Sequence, residues 1–384
     1  MTDRRQQDLL KIVAAVSFLL AVVNNLLPPK AYSATQLLYD YSLGPIRRGL
    51  VGELLGAFIG PHVSVGEIHA AAALVTIIGA TGFYLFLRRW MASGRAQILL
   101  MILALNSFAF ASLVGNTGYL DAILLALVVA ALSLDPRRRL SVALKVVAAL
   151  IGVLVHENML PYFLMLLAFD LYLARPGTGR ALVRASLPVI AGAGMVAALF
   201  LSTHTTAEQA QALVTHLQDK AEFRIATDAA IVSASGFARN LTYMEQQHGT
   251  LHYWVWVLFD GLPLALMSLW LIWLGLRLLG RQATAMTRLL LVGAIIAPLS
   301  LNLVAFDVVR FGVASVLAGF LAVALVLRHT DGAAQRLDQI LTWPHFLLVL
   351  VLNVNISTMQ INEASGHMAQ FPWVLLNQLK WFAP

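Results

Sequence analysis

Apolar residues recur in long runs from Leu9 to Ser357, separated by short polar stretches that carry most of the charge. A helix that crosses a bilayer needs about 20 mostly apolar residues, and about eleven runs approach that length. They are Leu9 to Leu27, Ile68 to Leu87, Ala96 to Val114, Tyr119 to Leu134, Val142 to Val155, Leu160 to Ala174, Ser186 to Thr203, Tyr253 to Leu276, Leu289 to Phe306, Phe311 to Leu327 and Ile340 to Ser357. The run at 142 to 155 is short, so it and the next are expected as a re-entrant or tilted pair around His156. The pattern predicts an all-α, polytopic helix bundle, one domain over 1–384.

Two intervening segments are longer than connection requires. In 28–66, Leu50, Val51, Leu54, Leu55 and Phe58 fall at helical spacing, which predicts a helix lying in the interface plane. The segment 204–251, after the seventh run, reads as polar helices with Ala210, Leu213, Val214 and Leu217 on one stripe. It breaks at the Ser/Gly-rich Ser233 to Gly236, as a mobile lid would.

Composition agrees with the pattern. Hydrophobic residues make up 59% of the 384 and charged residues 12%, about half the charge of a soluble chain. Cysteine is absent, which removes disulfides, thiolate metal sites and cysteine nucleophiles. The pI of 9.9 would point a soluble chain toward nucleic acid, but in a membrane protein the placement of each base matters more, and no nucleic-acid partner is expected.

That placement predicts orientation. With the N-terminus cytoplasmic, the inner loops collect 18 of the 26 bases, and the outer segments keep 13 of the 19 acids. Every short basic loop then lies inside, with an odd number of spans and an extracytoplasmic C-terminus. The first run has a basic start but no convincing small-x-small cleavage site, so it is read as an uncleaved anchor.

Ionisable residues at or within the membrane boundary are costly and mark functional candidates. On this topology Asp40, Arg47, Arg48, Glu53, Asp121, His156, Glu157, Asp260, Asp307 and Arg310 all lie toward the outer face, whereas independent structural charges would favour neither. In Tyr39-Asp40-Tyr41, flanking aromatics predict a carboxyl of raised pKa able to act as a base; the bland alternative is a helix cap or a partner for Arg47 or Arg48. Arg47 and Arg48 break the positive-inside pattern, as phosphate binding or headgroup anchoring would require.

Asp121 follows the Gly-rich turn Gly115 to Tyr119, where helix capping competes with a functional role. His156 and Glu157 place two titratable groups in one tight turn. Asp307 and Arg310 stand at i and i+3, suited either to a self-satisfied pair or to a phosphate clamp held by an aspartate. Asp260 precedes Gly261 and Pro263 at an expected kink, and Asp170, deeper, is expected to pair with Arg175. The chain lacks a Gly-x-x-x-x-Gly-Lys-Ser/Thr loop, a His-Glu-x-x-His helix and an Asp-x-Asp pair, which argues against ATP hydrolysis and zinc proteolysis.

An uncleaved first span, an acid and interface helices in the first outer loop, a second acid at the mouth of the fourth span and a long outer loop after the seventh together resemble the GT-C class of integral-membrane glycosyltransferases. The stretches Asp40 through Gly52, Gly118 through Leu127 and Asp307 through Phe311 are similar to segments of poorly characterised bacterial members. The resemblance implies transfer of a sugar from a polyprenyl-phosphate carrier to a glycan, lipid or protein acceptor outside a bacterial inner membrane, as in cell-envelope polysaccharide biosynthesis. It implies that Asp40 activates or positions the acceptor, that Asp121 matches a second acidic position, and that Arg310, with Arg47 or Arg48, holds the lipid phosphate. His156-Glu157 maps onto no standard motif of the class and leaves a divalent metal open.

A lipid phosphate is already a good leaving group, so the reaction asks for an acceptor base, cations on the departing charge and a groove at membrane level. A polysaccharide polymerase or ligase would share these needs. A transporter or flippase of lipid-linked substrates would also require ionisable groups through the inner half of the membrane, where the sequence displays little beyond Asp170.

Overall fold

The computed structural model describes residues 3–44, 46–202, 207–229, 248–303 and 307–353, with isolated positions at 242, 245–246, 305, 361–362 and 367–368. Among these residues the regular elements are helices, apart from one two-residue pairing, Ile361–Asn362 with His367–Met368, and a single bridge between Val63 and Ala221. Six helices are long and apolar enough to cross a membrane: Arg4–Asn25, Val65–Met91, Gly179–Ser202, Leu262–Leu279, Ala285–Leu303 and Val308–His329. The protein is an integral membrane protein. Four further apolar runs form shorter helices, Arg95–Leu105, Asp121–Ser133, Leu160–Leu173 and Trp343–Asn353, so the expected eleven crossings correspond to six full-length helices and a set of shorter pieces.

Local chemistry sets these lengths. α1 spans Asp3–Asn25. Two short helices follow in the first connecting segment, α2 (Ala31–Gln36) and α3 (Gly49–Gly56). α4 (Val65–Met91) opens on a capping box between Ser64 and Glu67 and closes with Arg88 and Arg89 beside its last carbonyls. The run 96–114 divides into α5 (Arg95–Leu105) and α6 (Phe108–Gly115), because Ser107 Oγ accepts the Phe110 N–H at 3.1 Å and starts a new helix.

α7 is Asp121–Ser133 and α8 is Arg139–Val155, longer than its apolar run because Arg139 to Ser141 join it. A turn at 156–159 leads into a π-helical stretch, Leu160–Leu164, and then α9 (Met165–Leu173). α10 is Gly179–Ser202, and α11 (Ala207–Lys220) begins the long polar segment. The Ser233 to Gly236 break lies outside the described residues.

α12 (Leu251–Trp256) passes through a π-helical turn, Val257–Gly261, into α13 (Leu262–Leu279). α14 is Ala285–Ile296, extended by a 3-10 stretch to Leu303. α15 (Val308–His329) is the most enclosed long helix, with 89% of its apolar window buried. Gly312 of α15 lies against Leu264 of α13 and Gly319 against Leu271, so closely that a Cβ at either would come within 2.7 Å. The pairs advance together along both helices, so α13 and α15 run parallel and α14 returns between them. α15 thus sets two ends of the bundle about 30 Å apart, with Arg310 near one and His329 at the other. α16 (Ala333–Ile340) and α17 (Trp343–Asn353) complete the described helices.

Two charges differ from expectation. Lys145, one of the 18 bases assigned to the inner side, is fully buried in α8, with its Nζ 2.9 Å from Asp170 Oδ2. Asp170 does not pair with Arg175: its Oδ1 meets His329 Nε2 at 2.9 Å, with Arg328 Nη1 at 3.9 Å. Arg175 lies past the end of α9, and a five-residue separation puts it on a different face from Asp170.

Candidate functional site

The turn before α7 is held in place from two sides. Gly118 has φ +81°, and its N–H donates to Thr76 Oγ1 of α4 at 3.0 Å; a Cβ there would also strike Ala72. The neighbouring Thr117 carbonyl accepts from Ser33 Oγ of α2 at 3.0 Å. This fixes the position of Asp121 in the first turn of α7. Its carboxylate does not cap that helix. It accepts instead from Arg310, at 2.9 Å from Nη2 to Oδ1 and through a second contact from Nε to Oδ2.

Arg310 is likewise built in. Asp307 caps α15 by accepting the Arg310 backbone N–H at 3.3 Å, and its Oδ2 lies 3.6 Å from Arg310 Nη1. The guanidinium face sits 4.9 Å from the centre of the Tyr119 ring. The expected Asp307–Arg310 pair therefore exists, but the nearer partner is Asp121, 189 residues away. A cavity of about 20 Å³, room for roughly one water, adjoins Asp121, Tyr119, Tyr162 and Arg310.

The 156–159 turn joins this group. His156 is buried, and the Asn158 N–H donates to its Nδ1 at 3.0 Å, with Glu157 Oε2 farther away at 3.4 Å. A neutral imidazole that accepts at Nδ1 carries its proton at Nε2. That Nε2 lies 3.3 Å from Arg310 Nη2, so two N–H groups converge. Glu157 is held by Arg48, with Nε at 3.2 and 3.1 Å and Nη2 at 2.5 Å, and Arg47 Nη1 lies 4.0 Å away.

Arg48 adopts φ +67°, the one described non-glycine residue with positive φ, in a region that costs side-chain-bearing residues about 1–2 kcal/mol. Left-handed backbone here starts α3 and directs a buried guanidinium at Glu157.

Asp40 belongs to a second cluster. Its Oδ2 accepts from Lys220 Nζ of α11 at 2.7 Å and lies 3.2 Å from His216 Nε2, and its Oδ1 accepts from Ser42 Oγ at 2.5 Å. Burial alone would raise the Asp40 carboxyl, but the hydrogen bonds from Lys220, Ser42 and His216 outweigh it and hold the group well below the usual carboxylate range. This corrects the expectation of a raised pKa. The neighbours that decide it are a cation and a hydroxyl rather than the flanking tyrosines. Ser42 Oγ is 3.0 Å from the same His216 Nε2, so the trio lacks the relay geometry of a Ser-His-Asp nucleophile, which uses both ring nitrogens. The cluster lines an open groove of about 680 Å³, with Glu53, His62 and Asp219 also on its wall.

The structure brings Arg47, Arg48, Asp121, His156, Glu157, Asp307 and Arg310 into one connected network from four separate segments. Asp40 stands in its own cluster, carried by the segment between α2 and α3 that also supplies Arg48. Asp260 lies in the π-helical turn, and its side chain is outside the described residues. His216 and Lys220 were not legible beforehand, since each is an ordinary polar residue of an amphipathic helix until α11 folds against Asp40. Among the described residues no group of three or more His, Asp or Glu is arranged to hold a metal ion.

No family model, no curated protein and no solved structure matches the chain.

Proposed function

We propose that the protein transfers a sugar from a polyprenyl-phosphate-linked donor to an acceptor at the extracytoplasmic face of a bacterial inner membrane, in the manner of a GT-C glycosyltransferase. The observation that carries this reading is the approach of His156 Nε2 to Arg310 Nη2, 3.3 Å apart, with the ring proton assigned to Nε2 because Nδ1 accepts the Asn158 N–H. Two donors that face each other repel, and an anionic oxygen shared between them satisfies both. A phosphate leaving group supplies such an oxygen and gains charge as the glycosidic bond breaks. Asp121 orients Arg310 without consuming all five of its N–H donors, which a planar guanidinium permits.

Asp40 would then address the acceptor hydroxyl in the adjoining groove. A carboxylate paired to Lys220 is a weak base, so proton transfer to Asp40 requires Lys220 to move away, which a displacement of α11 would accomplish. The test is reconstitution in vesicles with labelled polyprenyl-phosphate sugars and a panel of acceptors, read by mass spectrometry of the products. Wild type should yield product and Asp121→Asn should not. If no lipid-linked donor is consumed, the reading fails.

A second reading, movement of a lipid-linked substrate across the membrane, is favoured by the buried Lys145–Asp170 pair with His329 and Arg328. These ionisable groups occupy the half of the bundle opposite Arg310, where a transfer enzyme needs none. A flipping assay on the same vesicles separates the two readings.

A further inference from the structure

At the His329 end of α15, away from the site described above, lies a groove of about 1050 Å³. Arg277 from the last turn of α13, Arg281 just past its end, Arg288 from α14 and Arg336 from α16 line it, against a single acid, Asp331. The four arginines are not equivalent. Arg336 donates to the Leu278 carbonyl at 2.8 and 2.6 Å, and Arg288 donates to the carbonyls of Gly280 and Arg281 at 3.3 and 3.2 Å, so both close off the end of α13. Among the described residues, the side chains of Arg277 and Arg281 make no hydrogen bond or ion pair, and both are exposed to the groove. His329, whose side chain is 8% exposed, lines the groove from below while Asp170 holds its Nε2 at 2.9 Å.

Apolar side chains, Trp273, Leu276 and Ile340, line the groove beside these arginines, and Trp273 is 43% exposed on the outside of α13, where lipid chains would lie. The groove thus offers uncommitted guanidiniums next to an apolar edge at one membrane interface. We infer that it binds the headgroup of an anionic glycerophospholipid, with phosphate on Arg277 and Arg281 and an acyl chain along Trp273. A zwitterionic headgroup would bring its own cation against four arginines and one acid, so the anionic lipid is favoured. A soluble phosphate compound would have no use for the apolar side chains.

The experiment is native mass spectrometry of the full chain after reconstitution into phosphatidylcholine discs containing a minority of phosphatidylglycerol. Wild type should retain phosphatidylglycerol at least tenfold above its share. Arg277→Gln/Arg281→Gln should weaken retention roughly 30-fold, since each base near an anionic surface contributes about a factor of five. It should keep the wild-type Tm in pure phosphatidylcholine, because neither side chain holds the fold. Arg137→Gln/Arg139→Gln removes two bases at the same end of the bundle but outside the groove, and should retain the lipid as wild type does. Equal loss in both double variants would mean diffuse surface charge and overturn the proposal. So would equal retention of phosphatidylcholine, or displacement of the lipid by millimolar inorganic phosphate. If the first double variant folds poorly, Arg281→Lys, which keeps charge but not the planar fork, replaces it and should lose several-fold in retention.

Discussion

Arg310 and Asp121 stand 189 positions apart in the chain yet meet edge to edge, guanidinium against carboxylate, at the start of two neighbouring helices. Both side chains are largely shielded, at 12% and 16% exposure, so either one left alone would be a poorly solvated charge. We therefore expect Asp121→Ala and Arg310→Ala each to cost roughly 3 kcal/mol of stability. The double variant should recover much of that stability and none of the donor turnover. Thermal unfolding and single-turnover assays measure the two separately. A double variant with near-normal turnover would make the pair structural and move phosphate binding to Arg47 and Arg48.

Asp40 makes a prediction about pH. Its carboxyl is held below the ordinary range in the folded protein, so this interaction stabilises the fold above the unfolded carboxylate pKa of about 4 and is lost as pH falls further. Lys220→Met should remove the largest single part of that contribution, leaving melting temperature less dependent on pH below about 5. The same change should move the acid limb of the turnover profile to higher pH, because Asp40 without its cation protonates more readily. An unmoved limb would take Asp40 out of the proton transfer.

For Arg48, backbone and side chain pull in opposite directions. Arg48→Gly relieves the left-handed conformation, worth about 1 kcal/mol, but leaves the Glu157 carboxylate with only His156 at 3.4 Å and Arg47 at 4.0 Å, which should cost more than is gained. The single variant should be less stable than wild type, and adding Glu157→Gln should restore it to wild-type stability or above. Chemical denaturation in detergent checks both. If Arg48→Gly is stabilising by itself, the Glu157 contact does not maintain the backbone conformation.

Orientation is open to direct labelling, because the natural chain has no cysteine. Single cysteines at the exposed positions His62 and Thr250 should react with an impermeant maleimide in intact cells. Cysteines at Gln282 and Gln335 should react only after permeabilisation. The reverse pattern would place the Asp121–Arg310 network on the cytoplasmic side and rule out an extracytoplasmic reaction.

Much of the molecule was legible in one dimension. Apolar run length by itself determined that the chain is a helical membrane protein, because a lipid environment leaves a polar backbone no other local way to satisfy its hydrogen bonds. Single-residue chemistry marked Asp121, His156, Glu157 and Arg310 as candidates, because charge near hydrocarbon is expensive wherever it occurs. Partnership was not legible. That Asp121 rather than Asp307 is the closer partner of Arg310, that Lys145 of α8 meets Asp170, and that Lys220 reaches back to Asp40 all depend on which helix ends pack side by side. Those pairings come from contacts between distant segments, such as Gly312 on Leu264 and Gly118 on Ala72, where shape decides how closely two backbones approach. Periodicity within one helix carries no information about its neighbour, so only the tertiary structure could turn a set of costly charges into a network and lower the Asp40 carboxyl that its aromatic flanks were expected to raise.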